Sequence, residues 1–154
     1  MKHGFTLIEL LIVSGITLVL IASAFPIYSN LQSSSQLNEA AAQLLQNLRL
    51  ERTVSIARLN NASHGIYFDI DQAGPDGYVI FQGASYVSRA QSYDRIVRLD
   101  SALSLSPALT QNTQEIIFSK AFGLPSATGT IMLTHTIAGG RNMTVNAIGG
   151  SEYE

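Results

Sequence analysis

The sequence predicts an α+β protein in which one long N-terminal helix precedes an antiparallel β-sheet domain. Three observations carry this prediction. Residues 5–28 form an almost unbroken apolar run. Apolar side chains then recur every three or four residues as far as Leu59, which is typical of an amphipathic helix. From His64 onward the pattern changes to short β-rich segments separated by turn residues.

The apolar run over residues 5–28 is long enough to cross a bilayer, since about 20 apolar residues in a helix span the hydrocarbon core. Its one charged side chain is Glu9. A secretory signal peptide would use the basic Lys2 and the small residues at 21–24, and a plain signal anchor would use the length, but neither explains an acid at Glu9. Pro26 predicts a helix kink, because proline removes a backbone donor and clashes with the preceding turn.

The second half of the predicted helix carries one apolar stripe and ends at a helix-stop signal. Asn60 and Asn61 supply that signal directly after Leu59. We therefore expect a single helix from about Phe5 to Leu59 whose second half covers a sheet. The stripe consists of Leu37, Ala41, Leu44, Leu45, Leu48, Ile56 and Leu59.

Several β-rich segments follow the helix and are joined by short turns with no helical pattern between them. This arrangement predicts an antiparallel sheet with one face packed on the helix. Gly74-Pro75-Asp76-Gly77 is the expected turn between the first two strands, and Pro107 is expected to end the fourth strand. The predicted strands cover residues 65–70, 78–81, 96–99, 103–106, 115–118, 129–135 and 142–146.

The N-terminus resembles that of type IV pilins and of the pseudopilins of type II secretion systems. The resemblance rests on the sequence Gly4-Phe5-Thr6-Leu7-Ile8-Glu9-Leu10-Leu11-Ile12-Val13 after a short basic leader, with Pro26 further on. It implies cleavage after Gly4 by a prepilin peptidase and N-methylation of the new terminal residue, Phe5. Glu9 would then be the fifth residue of the mature chain, where the family carries its glutamate.

Within that resemblance, Glu9 has a physical explanation. Cleavage creates a positive amine on Phe5, and Glu9 of one subunit can approach the Phe5 amine of its neighbour in a helical filament. Each charge is costly alone in an apolar setting and tolerable when paired, so the pair would set the axial register. The alternative is that Glu9 only lies near the helix start, where the helix dipole favours an acid.

The second half of the chain resembles the GspH/FimT-like group of minor pilins and pseudopilins. The shared features are Phe118, Gly123, Gly129-Thr130-Ile131, the segment from Arg141 to Val145, and Gly149. Together, pattern and resemblance divide the chain into a leader peptide (1–4), a transmembrane and assembly half-helix (5–28), an amphipathic half-helix (29–60) and an antiparallel β-sheet domain (61–154).

The function that this resemblance implies is that of a structural subunit of a type IV pilus or type II secretion-like filament. Its expected partners are other pilins, the prepilin peptidase and an inner-membrane assembly platform. We expect one membrane pass before assembly, and a periplasmic or cell-surface filament afterwards. The alternative is a membrane-anchored binding module for DNA or an adhesive target. The acids Glu152 and Glu154 at the C-terminal end repel phosphate, so no nucleic acid is expected as a partner.

Other functions find little support in the 154 residues. The formal charge is −2, and no cysteine, phosphate-binding glycine motif or nucleophile triad is present, so we expect neither an enzyme nor a cofactor or metal. Asp69, Asp71 and Asp76 fit a polar hairpin turn better than a calcium loop. His64 and His135 are interpreted as structural or exposed. The charged connection with Arg89, Tyr93, Asp94, Arg95 and Arg98 fits a subunit contact and a solvated loop equally well.

Overall fold

The computed structural model describes residues 5–70 and 74–153, which form one long α-helix followed by eight β-strands. The strands build two four-stranded antiparallel sheets: sheet A has the order β3-β2-β1-β5, and sheet B has the order β4-β6-β7-β8. The elements are α1 (Leu7–Ile56), β1 (His64–Asp69), β2 (Gly77–Gln82), β3 (Arg95–Arg98), β4 (Leu103–Leu109), β5 (Glu115–Phe118), β6 (Gly129–His135), β7 (Gly139–Val145) and β8 (Ser151–Tyr153).

The helix α1 has distinct chemical signals at its two ends. Thr6 is its N-cap and forms a capping box with Glu9, so two otherwise unpaired donors of the first turn are satisfied. At the other end, Arg58, Asn60 and Asn61 adopt left-handed backbone conformations, with φ between 51° and 55°. Asparagine tolerates this conformation better than most residues, which explains why the chain leaves the helix here. The helix therefore ends at Ile56, slightly before the predicted Leu59.

The helix continues without a break through Pro26. The side chain of Pro26 lies outside the described side chains, so the kink expected there stays a prediction. A helix of 50 residues extends over about 75 Å. Among the described side chains of the helix, the buried ones lie in its second half, so the first half projects from the domain.

The antiparallel pairing was predicted, but the division into two sheets was not. The predicted end of a strand at Pro107 is wrong, because β4 continues through Pro107 to Leu109. The reason is that β4 is an edge strand, where the missing N–H of proline costs no ladder hydrogen bond. The short strand β8 was missed, since Ser-Glu-Tyr carries no strand pattern of its own.

The core lies between the second half of α1 and the two sheets. The helix contributes Leu37, Ala41, Leu44, Leu45 and Leu48, all buried as predicted. Asp76 joins the two sheets, because its Oδ2 accepts a hydrogen bond of 2.7 Å from the backbone N–H of Leu105. The core cluster that these helix residues join includes, from the sheets, Ile66, Phe68, Tyr78, Ile116, Phe118, Leu105, Ile131, Leu133 and Met143.

Candidate assembly surface

The first part of α1 is apolar and uncovered. Every side chain from Phe5 to Ala22 is exposed, in contrast to the buried stripe further along the same helix. Phe5 and Leu7 are more than four-fifths exposed, at 84% and 83%. Soluble monomers rarely leave a contiguous apolar surface of this kind open, so it marks a surface that another molecule or a membrane covers.

Within residues 5–70 and 74–153, no helix combines the length and the apolar character that crossing a membrane requires. The transmembrane segment predicted for residues 5–28 includes the side chains of residues 23–27, which lie outside the described part of the chain. It stays a prediction.

Glu9 is held at the start of its own helix by Thr6. Its Oε2 accepts hydrogen bonds from the Thr6 backbone N–H at 3.4 Å and from the Thr6 hydroxyl at 3.3 Å. In return, the Glu9 backbone N–H donates to the Thr6 hydroxyl at 3.3 Å. These contacts use the Phe5–Thr6 peptide bond and not the leader, so cleavage after Gly4 would leave them intact.

Phe5 and Glu9 line one shallow groove on this helix, together with Leu10, Val13, Ser14, Thr17 and Leu18. The two hydroxyl groups in the groove are satisfied by the helix itself. Ser14 donates to the carbonyl of Leu11 at 3.0 Å, and Thr17 donates to the carbonyl of Val13 at 2.8 Å. The groove therefore offers an apolar wall with a single carboxylate at its N-terminal end.

Of the predicted site residues, the structure brings Phe5 and Glu9 to the same helix face. Gly4 lies outside the described residues, as does the side chain of Pro26. Sequence reasoning missed Thr6, although the spacing Thr-x-x-Glu at a helix start is itself the signal of a capping box.

Charged residues of the connection between β2 and β3, and of β3 itself, have partners within the chain. Arg89 pairs with Asp94 at 2.7 Å, and its guanidinium lies 3.8 Å from the centre of the Tyr86 ring. Arg95 donates to Asn47 Oδ1 at 2.9 Å, and Arg98 pairs with Asp69 at 2.7 Å. These contacts hold the connection and β3 on the domain. They do not decide between a subunit contact and a solvated loop.

The candidate ligands for a metal also have partners inside the fold. Asp69 binds Arg98 and Asp76 binds the backbone of Leu105, while Asp71 lies outside the described residues. His135 is buried, and its Nδ1 accepts from the backbone N–H of Ile137 at 3.0 Å. Among the described residues, no group of three or more histidine, cysteine or acidic residues is placed to hold a metal ion.

Two arginines of α1 fasten the C-terminal part of the chain to the helix. Arg49 Nη2 donates to the carbonyl of Ser151 at 2.8 Å. Arg52 donates to the carbonyl of Gly123 at 3.3 Å and to that of Ile148 at 2.9 Å. The covered half of α1 thus holds the domain through polar contacts as well as apolar ones.

Comparison with known proteins agrees with this arrangement. Residues 1–25 match the family described as the prokaryotic N-terminal methylation motif. That motif lies at the start of a long helix with an uncovered apolar first half and an antiparallel β domain on its second half, and this arrangement supports the predicted resemblance to type IV pilins. The resemblance to type IV pilins is thereby confirmed.

A solved structure shows the same fold. The chain is similar to the type IV minor pilin FimU of Pseudomonas aeruginosa strain PAO1, with a TM-score of 0.60 and 17% identity, over 78% of this chain and 89% of that chain. The predicted α+β pilin fold is confirmed by this match. No curated protein matches the chain. The narrower assignment to the GspH/FimT-like group stays a prediction.

Proposed function

We propose that the chain is a minor structural subunit of a type IV pilus-like filament and polymerises through the first half of α1. The observation that carries this proposal is the contrast within α1: an exposed apolar first half that bears the methylation motif, and a second half buried in its own domain. No observation among the described residues favours the alternative of a DNA-binding or adhesive module.

Burial of the exposed helix supplies the driving force for assembly. Moving a leucine or isoleucine side chain from water into an apolar contact is worth roughly 1.5–3 kcal/mol. Leu7, Ile8, Leu10, Leu11 and Ile12 are each more than half exposed in the single chain. Packing such helices against one another therefore stabilises a filament without rearrangement of the β domain.

Pairing of the Glu9 carboxylate with the Phe5 amine would set the axial register of neighbouring subunits. After cleavage behind Gly4, the amine of Phe5 and the carboxylate of Glu9 lie on one face of the helix, at the end of an apolar groove. Glu9 of one subunit would bind the methylated Phe5 amine of the next, because neither charge is tolerated alone once the groove is covered. In this proposal the capping box orients the Glu9 carboxylate before the neighbour arrives.

The route to the filament follows from the same residues. Residues 5–28 would hold the chain in the inner membrane as a single pass while the prepilin peptidase removes residues 1–4. An inner-membrane assembly platform would then transfer the helix from the bilayer to the neighbouring helices, in the periplasm or in a cell-surface filament. Other pilins and the peptidase are the proposed partners.

The test is the mass of the N-terminus in protein recovered from filaments and membranes. We expect a chain that begins with N-methylated Phe5, because Gly4 leaves the scissile bond without a hindering side chain. Gly4→Val should leave the precursor in the membrane fraction. A chain that still begins with Met1, or one cut after Ala24, would contradict the proposal.

A further inference from the structure

A buried acid and a buried histidine face each other where α1 meets β1. Glu51 and His64 are each only 6% exposed. The Nδ1 atom of His64 lies 3.5 Å from Oε2 of Glu51. Beside them, the backbone N–H of His64 donates to the Ser55 hydroxyl at 3.0 Å. The last turns of α1 are thus joined to the first residue of β1 by buried polar contacts.

The hydrogen-bond partners of His64 indicate which of its ring nitrogens carries a hydrogen. Nε2 of His64 is 3.3 Å from the carbonyl oxygen of Leu59, which can only accept, so Nε2 carries a hydrogen. A neutral imidazole then presents the lone pair of Nδ1 to Glu51. The contact is favourable only when one proton lies between the two groups, on the carboxyl or on Nδ1.

Among the described residues, Arg95 of β3 is the cation whose charge acts on Glu51, and this side chain also donates to Asn47. Tyr93 lines the same cavity, and the Tyr78 hydroxyl of β2 accepts a hydrogen bond from Asn47 at 2.9 Å. On α1 itself, the neighbouring Arg52 is directed to the carbonyls of Gly123 and Ile148.

We propose that Glu51 and His64 form a pH-responsive latch in which one shared proton holds the end of α1 against the start of β1. Release of this proton to water at alkaline pH loosens the junction. An open-sided cavity of about 240 Å³, lined by both residues, connects the pair to solvent. This latch is independent of the filament proposal, since it lies in the covered half of the helix.

The sign of the pH dependence follows from the environment of Glu51. Burial raises the pKa of its carboxyl to about 7, against an opposing effect of Arg95. An acid with a raised pKa in the folded state contributes its full stability below the usual value of 4.5 and loses it as the pH rises through about 7. Above that pH, a buried carboxylate faces the Nδ1 lone pair.

The experiment is hydrogen exchange of the full chain in detergent micelles, at a weakly acidic and a weakly alkaline pH, corrected for the intrinsic exchange rates. In the wild type, protection of residues 52–66 should fall on the order of tenfold or more between the two conditions. Glu51→Gln should abolish this fall, because the amide donates permanently to Nδ1 of His64. Protection of residues 129–145 should depend less on pH than protection of residues 52–66.

Two further variants keep the result interpretable. Glu51→Met removes the titrating group at similar volume, and should also be independent of pH if Glu51→Gln fails to fold. His135→Gln changes the other buried histidine and should retain the wild-type fall. An equally protected junction at both pH values in the wild type, or an unchanged fall in Glu51→Gln or Glu51→Met, would overturn the proposal.

Discussion

The two halves of α1 belong to one continuous helix and lie in opposite environments. Leu11 in the first half is 60% exposed, whereas Leu44 in the second half is 1% exposed. Both are leucines in the same secondary structure, so the difference comes from what surrounds them. The second half is covered by the two sheets of its own chain. The first half needs other molecules to cover it.

The distribution of polar and apolar residues in each half of α1 indicates how much of its surface has to be buried. Polar residues such as Glu39, Gln43 and Arg49 lie between the apolar positions of the second half, so only one stripe needs burial. The first half is apolar on all sides, which is typical of a helix that is surrounded completely. A membrane before assembly and neighbouring helices after it would both satisfy this requirement.

The largest difference between the two halves is expected when the same substitution, leucine to alanine, is made in each of them. Leu44→Ala should lower the free energy of unfolding of the domain by roughly 2–5 kcal/mol, because it leaves a cavity in the core. Leu11→Ala should leave this free energy unchanged. Urea unfolding of the full chain in detergent, followed by near-ultraviolet circular dichroism, measures both. Equal losses in the two variants would mean that the first half also belongs to the domain core.

A smaller loss of stability is expected when the polar contacts of the second half are removed. Arg52→Ala removes the donor to the carbonyls of Gly123 and Ile148 and should destabilise the domain by about 1–2 kcal/mol. Arg52→Lys keeps the charge but lacks the planar fork, and should lose about half as much. The midpoint of urea unfolding compares them. If both variants unfold like the wild type, the carbonyl contacts do not hold the C-terminal segment.

The sequence predicted the central part of the helix correctly and its end incorrectly. The predicted stripe continued to Ile56 and Leu59, but these side chains are 42% and 52% exposed. The buried face instead continues through Glu51 and Ser55, at the same helical spacing from Leu44 and Leu48. Apolar periodicity could not reveal this, because burial of Glu51 and Ser55 depends on contacts with His64, which the fold brings to them.

Part of the assembly surface could be predicted from the sequence. The motif around Gly4, Phe5 and Glu9 was enough to indicate the class of protein, because it resembles the N-terminus of type IV pilins. The local partner, Thr6, is also encoded in the spacing but was not predicted. The division of the strands into two sheets was not readable, since it depends on long-range pairing such as that of β1 with β5.

The most direct test of the assembly role separates the contact of Glu9 with Thr6 in its own chain from its proposed contact with the Phe5 amine of the next subunit. Glutamine at this position keeps a capping box but carries no charge, whereas alanine removes both. The measurement is the fraction of processed subunit that is recovered in sheared filaments. Breaking a buried ion pair from one side costs roughly 3–5 kcal/mol, so Glu9→Gln and Glu9→Ala should both lose at least about tenfold. Thr6→Val, which removes only the hydroxyl contacts, should lose less incorporation than either Glu9 variant. If Glu9→Gln enters filaments like the wild type, Glu9 serves only its own helix and the proposed pairing with the Phe5 amine is wrong.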